Sequence, residues 1–111
     1  MKRVEAIIQP HRLPKVVQAL HTLPAFPGFT ILDAHGQGRG RGAGGHFIHE
    51  PNEGLLYHRR TVIVVICEND RARDIAQKIV QTAHTGNPGD GIITISDVSE
   101  VIRIRGVGGR P

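Results

Sequence analysis

The sequence contains no tryptophan, one tyrosine and three phenylalanines among its 111 residues. A core must therefore be built from aliphatic side chains. One so thin leaves apolar surface for another copy of the chain to bury, so self-association is expected. Cysteine is nearly absent as well. The single Cys67 excludes an internal disulfide framework and lies in the apolar run TVIVVIC, where it reads as a small buried hydrophobe and not as a nucleophile or metal ligand. No apolar run approaches the length of a membrane span. MKRVEAIIQP turns charged again at Glu5, too soon for a signal-peptide core, so a cytoplasmic protein without membrane insertion is expected. Neither a Ser/His/Asp set nor a paired-carboxylate motif stands out, and the chain is not expected to be an enzyme.

Acidic residues are outnumbered ten to 14 by lysine and arginine, and the net charge is +4. Most of these cations are arginines, so the positive charge survives at any cellular pH and favours anionic partners. Glycine is the other abundance. Six glycines between Gly36 and Gly45, in HGQGRGRGAGGHFIHE, forbid a stable helix or strand there. Gly-Arg alternation exposes backbone N–H groups beside guanidinium charges, a composition suited to gripping a compact anion.

Along the chain, RVEAIIQ reads as a strand ending before Pro10, and LPKVVQAL as a helix with Leu13, Val16, Val17 and Leu20 on one face. FTILDA is a second strand that runs straight into the glycine segment. LYHRRTVIVVIC becomes continuously apolar, the pattern of a strand buried on both faces. The next helix, which Asp70 is placed to cap, carries a stripe of Ala72, Ile75, Ala76, Ile79, Val80 and Ala83. HTGNPGDG is a turn, GIITISD a fourth strand, and SEVIRIR a short fifth. Two βαβ units in one 1–111 domain imply an α+β fold: a ferredoxin-like double split βαβ sandwich, with a four-stranded antiparallel sheet, two helices on one face and a short C-terminal strand. The face without helices is expected to be covered by other copies, a cyclic trimer being one solution.

Three Gly- or Arg-rich pieces fall at the ends of these elements. GQGRG follows the second strand and GDG precedes the fourth. In RIR, Arg103 and Arg105 share one face at a spacing of roughly 7 Å, which suits adjacent phosphates. The glycines of Gly89-Asp90-Gly91 allow backbone N–H groups to approach a ligand, while Asp90 either accepts from a hydroxyl or shapes the turn. Each piece also has an ordinary reading as a turn, a solvated edge or a flexible linker.

Order and spacing together resemble the PII signal-transduction family of nitrogen-regulatory proteins over nearly the whole chain. MKRVEAIIQPHRL is similar to that family's opening strand and turn, GFTILDAHGQGRGRG to the strand entering its mobile T-loop (here 36–56), TGNPGDG to its B-loop (85–91), and VIRIR to its C-terminal arginine strand (101–111 with the tail). The resemblance implies a homotrimer that binds ATP, ADP or AMP as an effector in clefts between subunits. It also implies a loop that docks on a target protein, such as a membrane transporter or a regulatory enzyme. It places Gly36, Gln37, Gly38 and Arg39 along the nucleotide from the loop base, and Gly89, Asp90 and Gly91 around phosphates. Ile7 and Ile66 would bracket the adenine side, Thr30 would lie near the base, and Arg103 and Arg105 would reach phosphates across the subunit boundary. Arg60 matches the family's lysine at the far base of the T-loop, with the charge kept and the geometry changed.

The departures matter equally. Gly40 stands where the family has a glutamine that helps hold magnesium and 2-oxoglutarate, which weakens the expectation of both. Ile92 replaces the lysine after GDG and Val64 replaces a glutamate, shifting preference from ATP toward ADP or AMP. The uridylylation motif around the loop tyrosine is missing, and Tyr57 reads as an edge residue. His46, His49 and His58, with Glu50 and Glu53 nearby, are of ligand type for zinc, nickel or copper but lack the spacing of a four-ligand site. They give a metal-binding alternative, and they resemble variant branches linked to metal or inorganic carbon transport. A second alternative, an RNA-binding ferredoxin-like module with an RG-rich loop, is opposed by AIIQ and TVIVVIC, which lack base-stacking aromatics, so no nucleic-acid partner is expected.

Overall fold

The computed structural model describes residues 1–37 and 58–106. Strands β1 (Lys2–Ile8), β2 (Thr30–Gly36), β3 (His58–Cys67) and β4 (Gly91–Asp97) form one sheet, with helices α1 (Leu13–Leu20) and α2 (Ala72–Ala83) between them in the chain. The strand order is β2-β3-β1-β4, and every neighbouring pair is antiparallel. This is the expected ferredoxin-like α+β arrangement.

Alternation decides which face meets the helices. Val4, Ala6 and Ile8 of β1 lie opposite Val65, Ile63 and Thr61 of β3, and all six are buried. Val16 and Leu20 of α1 and Ile75 and Ile79 of α2 close over them as one aliphatic core. Each such side chain contributes about 1.5–3 kcal/mol through burial. Cys67 is part of this core at 2 % exposure, and burial raises its thiol pKa, so it is inert packing as expected.

Proline starts the first helix region: a 3₁₀ turn at Pro10–Arg12 leads into α1, which has Pro14 in its first turn where no backbone donor is needed. Arg12 then reaches across to the end of α2. Its Nε and Nη2 both donate to the Thr82 carbonyl, at 3.0 and 2.6 Å, satisfying an acceptor that the helix end leaves open. The two phenylalanines among the described residues cluster near the entry to β2, with His21, Phe26 and Phe29 ring centroids 5.8–6.2 Å apart.

Four expectations need correction. Asp70 makes no side-chain cap to α2; a 3₁₀ turn at Asn69–Arg71 precedes the helix and Arg71 occupies the cap position. Val80 is 55 % exposed because the stripe that packs is Ala72, Ile75, Ala76, Ile79 and Ala83, and Val80 lies beside it. Strand β3 is buried on its helix face only, while Val62, Val64 and Ile66 on the other face are half-buried. Residues 101–105 form no strand: the outer edges of β2 and β4 are open, but this segment pairs with neither, and Ile102 and Ile104 stay exposed.

The open face carries an apolar row. Register places Leu32, Val62, Ile7 and Ile92 side by side across all four strands. Leu32 and Ile92 are at least half exposed. No helix among the described residues is long and apolar enough to cross a membrane.

Candidate functional site

Antiparallel order brings four chain segments to one end of the sheet: the exit of β1 at Gln9, the exit of β2 at Gly36 and Gln37, the entry of β3 at His58–Arg60, and the entry of β4 at Gly89–Gly91. The two arms of the 36–56 segment and the 85–91 turn, far apart in sequence, thereby become neighbours. Gln9 Nε2 donates to the Gly89 carbonyl at 2.8 Å. Arg60 lies against the same residue: a Cβ on Gly89 would meet Arg60 Nη2 and Gln9 Nε2, both at 3.2 Å. The guanidinium that enters β3 is thus held beside the turn that enters β4.

That turn is built by Asp90. Its carboxylate accepts from the Thr85 backbone N–H at 2.9 Å, from the Gly86 N–H at 3.1 Å, and from the Thr85 hydroxyl. The Thr85 hydroxyl is the main cause of a pKa below the ordinary carboxylate value, assisted by the two N–H groups and the nearby His84. Both roles open to Asp90 are in use within the chain: it accepts from the Thr85 hydroxyl, and with the two N–H groups this shapes the turn. Its oxygens are turned inward on residues 85 and 86. Gly91 closes the arrangement with φ +110°, and a Cβ there would lie 1.8 Å from the Ile7 carbonyl oxygen, so only glycine fits.

Beside the turn lies a groove of about 330 Å³ lined by Ile7, Ile92, Val80, His84, Asp90 and Gly91 among others. Its walls are mostly aliphatic. Apolar walls beside a glycine turn, with Arg60 near that turn at Gly89, suit a ligand with a flat or apolar part and an anionic part.

The residues expected at the site divide between the two ends of the sheet. Ile7, Gly36, Gln37, Arg60, Gly89, Asp90 and Gly91 gather at or near the end just described. Thr30 begins β2 and Ile66 lies near the finish of β3, at the opposite end, roughly 20 Å away at the rise of a strand. Ile7 and Ile66 therefore do not bracket one ligand within a single chain, because Ile7 faces Val62 and Ile66 faces Arg3. The C-terminal segment leaves β4 from that opposite end too, tied by the Val98 N–H to the Met1 carbonyl at 3.0 Å, and Arg103 and Arg105 are exposed. Gly38, Arg39, Gly40, His46, His49, Glu50, Glu53 and Tyr57 lie outside the described residues. His58 is exposed at the start of β3, and no three His, Cys, Asp or Glu side chains converge among the described residues as a metal ion requires.

Sequence reasoning did not single out Gln9, Thr85 or His84. Thr85 had a legible signal, since it sits five residues before Asp90 across a Gly-Asn-Pro-Gly turn. Gln9 had none, because its partner is 80 residues away.

The family model for nitrogen regulatory protein P-II matches residues 1–107. Proteins of that name are similar to this chain over 95 % of its length: one from Azospirillum brasilense at 36 % identity and one from Porphyra purpurea at 38 %, each with 92 % of its own length covered. Nitrogen regulatory protein P-II 2 of Methanothermobacter thermautotrophicus is 36 % identical, with 90 % of its length covered.

Proposed function

The chain belongs to the nitrogen regulatory protein P-II family, whose members are regulators and not enzymes, and from that premise we propose that it is a homotrimeric sensor of adenine nucleotides that controls a target protein through the 36–56 loop. The observation that carries the reading is the division of the site. One end of the sheet holds the turn, Arg60 and the loop arms, and the other holds Thr30, Ile66 and the departure of the arginine segment. A ligand that uses both sets needs two copies of the chain, one giving each end. The apolar row Leu32, Val62, Ile7 and Ile92 on the open face supplies the surface that such copies would bury against one another.

In this reading the nucleotide base lies against Ile7 and the neighbouring copy's Thr30 and Ile66. Its phosphates meet the backbone N–H groups of 89–91, Arg60, and the neighbour's Arg103 and Arg105. Because Arg60 touches both the turn and the loop arm, phosphate contacts at the turn bias which conformations the loop adopts. Ile92 in place of a lysine leaves the outer phosphates with fewer contacts, so ADP or AMP is favoured over ATP. Arg3, Glu5, Val64 and the apolar row compose the open face, which presents no aromatic platform for stacking bases and so favours a protein or nucleotide ligand over RNA.

Calorimetric titration with ATP, ADP, AMP and 2-oxoglutarate, alongside sedimentation, tests the proposal. The expected result is a trimer that binds ADP or AMP more tightly than ATP and responds weakly to 2-oxoglutarate. A stable monomer at micromolar concentration, or a trimer indifferent to all three nucleotides, would overturn it.

A further inference from the structure

We propose that His84 is an anion-contacting residue of the groove and makes ligand affinity depend on pH. This inference rests on the nucleotide reading above. The C-cap of α2 places His84 where the helix turns into the 85–91 segment, with extended backbone (φ −66°, ψ 129°). Its Nδ1 lies 3.8 Å from Asp90 Oδ2, too far for a hydrogen bond, and its ring packs 3.7 Å from the Cβ position of Gly86. Asp90 is already occupied by three donors from residues 85 and 86, so the imidazole is left beside the carboxylate with its own hydrogen-bonding capacity free for a ligand. More than half of the side chain is exposed, and it forms part of the groove wall with Ile7, Ile92 and Val80.

Charge gives the position its consequence. Residues 84–92, HTGNPGDGI, contain one aspartate and no lysine or arginine. With His84 neutral, the segment itself carries a net negative charge toward an incoming anion, offset by its backbone donors and by Arg60 against Gly89. With His84 protonated, the segment is electrically balanced and the imidazolium adds a second donor. The groups facing His84 are few: among the described residues Asp90 from the turn is the one charged group in the groove wall, and Arg60 of β3 lies farther along the turn against Gly89. Helix α2 contributes Val80 and Ala83, β1 contributes Ile7 and Ile8, and β4 contributes Ile92 and Ile93. Histidine is the side chain that changes charge between pH 5 and 8, and so this wall can pass between net negative and balanced, as a lysine there could not.

The test is titration of the full chain with ADP at pH 6.0 and pH 8.0, for the wild type, His84→Gln and His84→Lys. Wild type should bind more tightly at the lower pH by about fivefold, the upper end for a partly exposed charge pair. His84→Gln should lose that gain, and His84→Lys should bind with the tighter affinity at both pH values. Comparison across variants removes the contribution of the ligand's own phosphate protonation, which is common to all three. An equal pH response in wild type and His84→Gln overturns this inference alone. Failure of the wild type to bind ADP at either pH overturns the nucleotide reading and this inference with it.

Discussion

Replacing Gly91 with alanine should damage the protein more than any other single glycine change among the described positions. Three glycines form a graded series. Gly36 has no positive φ and nothing within 4 Å of the point a Cβ would occupy, so Gly36→Ala meets neither strain nor clash. It should be neutral to slightly stabilising, by about 0.5 kcal/mol, through reduced freedom of the unfolded chain. Gly28 has φ +99° but open space around it, so Gly28→Ala meets conformational strain alone, about 1–2 kcal/mol. Gly91 combines φ +110° with a Cβ placed 1.8 Å from the Ile7 carbonyl oxygen and 2.9 Å from its carbon. Both are backbone atoms of β1, so no side-chain rotation relieves the overlap. Strand β4 must move by roughly 1 Å or more at its first residue, where Gly91 stands opposite Ile8, to restore ordinary contact distances. Strain and displacement together should cost about 3 kcal/mol or more. Urea denaturation at pH 7 reads the series, with the unfolding midpoint falling in the order Gly36→Ala, Gly28→Ala, Gly91→Ala. The Gly91 variant should also lose nucleotide affinity, because the turn that enters β4 is displaced with it. A Gly91→Ala midpoint equal to that of Gly28→Ala would refute the close approach on which the reasoning depends.

The folded-state pKa of Asp90 is lowered, so the turn's contribution to stability is present above the ordinary value of 3.8 and is lost as pH falls through the lower folded value. An acid titration of thermal stability should therefore show a limb below pH 4 that is absent in Asp90→Asn, which should also melt earlier than wild type at pH 7. Arg103→Ala and Arg105→Ala should each weaken ADP binding by about 1.5–3 kcal/mol without altering the thermal midpoint of the free protein, because both side chains are exposed in the chain; calorimetry and calorimetric melting check the two halves. Leu32→Lys, on the open face, should leave the fold within about 0.5 kcal/mol yet yield monomers in sedimentation, and those monomers should not bind ADP. Monomers that bind ADP with undiminished affinity would show that one chain suffices for the site.

Periodicity made the fold legible. Helix α1 spans the residues LPKVVQAL that the apolar spacing picks out and buries Val16 and Leu20, and β4 spans GIITISD, where alternation and the bounding glycine mark a strand although only Ile93 is half-buried. The failures have physical causes. The apolar run of β3 predicts burial on both faces, but a single chain covers one of them and leaves Val62, Val64 and Ile66 half-buried. Arginine and isoleucine alternate in VIRIR as in a strand, yet a strand also needs a paired neighbour, and alternation alone does not say whether the segment meets one. In the site, Gly89, Asp90 and Gly91 were visible as a motif, while the tether from Gln9 and the approach of Arg60 depend on antiparallel registry that no local spacing reveals.

The two aliphatic replacements in the site share one physical direction. Ile92 and Val64 lie on the open face of the sheet, Ile92 directly opposite Ile7 in the apolar row and Val64 opposite Glu5. Each substitutes hydrocarbon for a charge that would otherwise have to be paired or solvated wherever that face is covered. Each also adds apolar area to the face, worth roughly 25 cal/mol for every Å² removed from water. A change that weakens the grip on a phosphate therefore strengthens the surface through which copies associate. On the proposed reading, the cations left for the anion include Arg60, which lies against Gly89, and a neighbouring copy's Arg103 and Arg105. If the proposed assembly of copies forms the site, ligand affinity should fall with dilution as the assembly dissociates, and an affinity independent of protein concentration would refute a shared site.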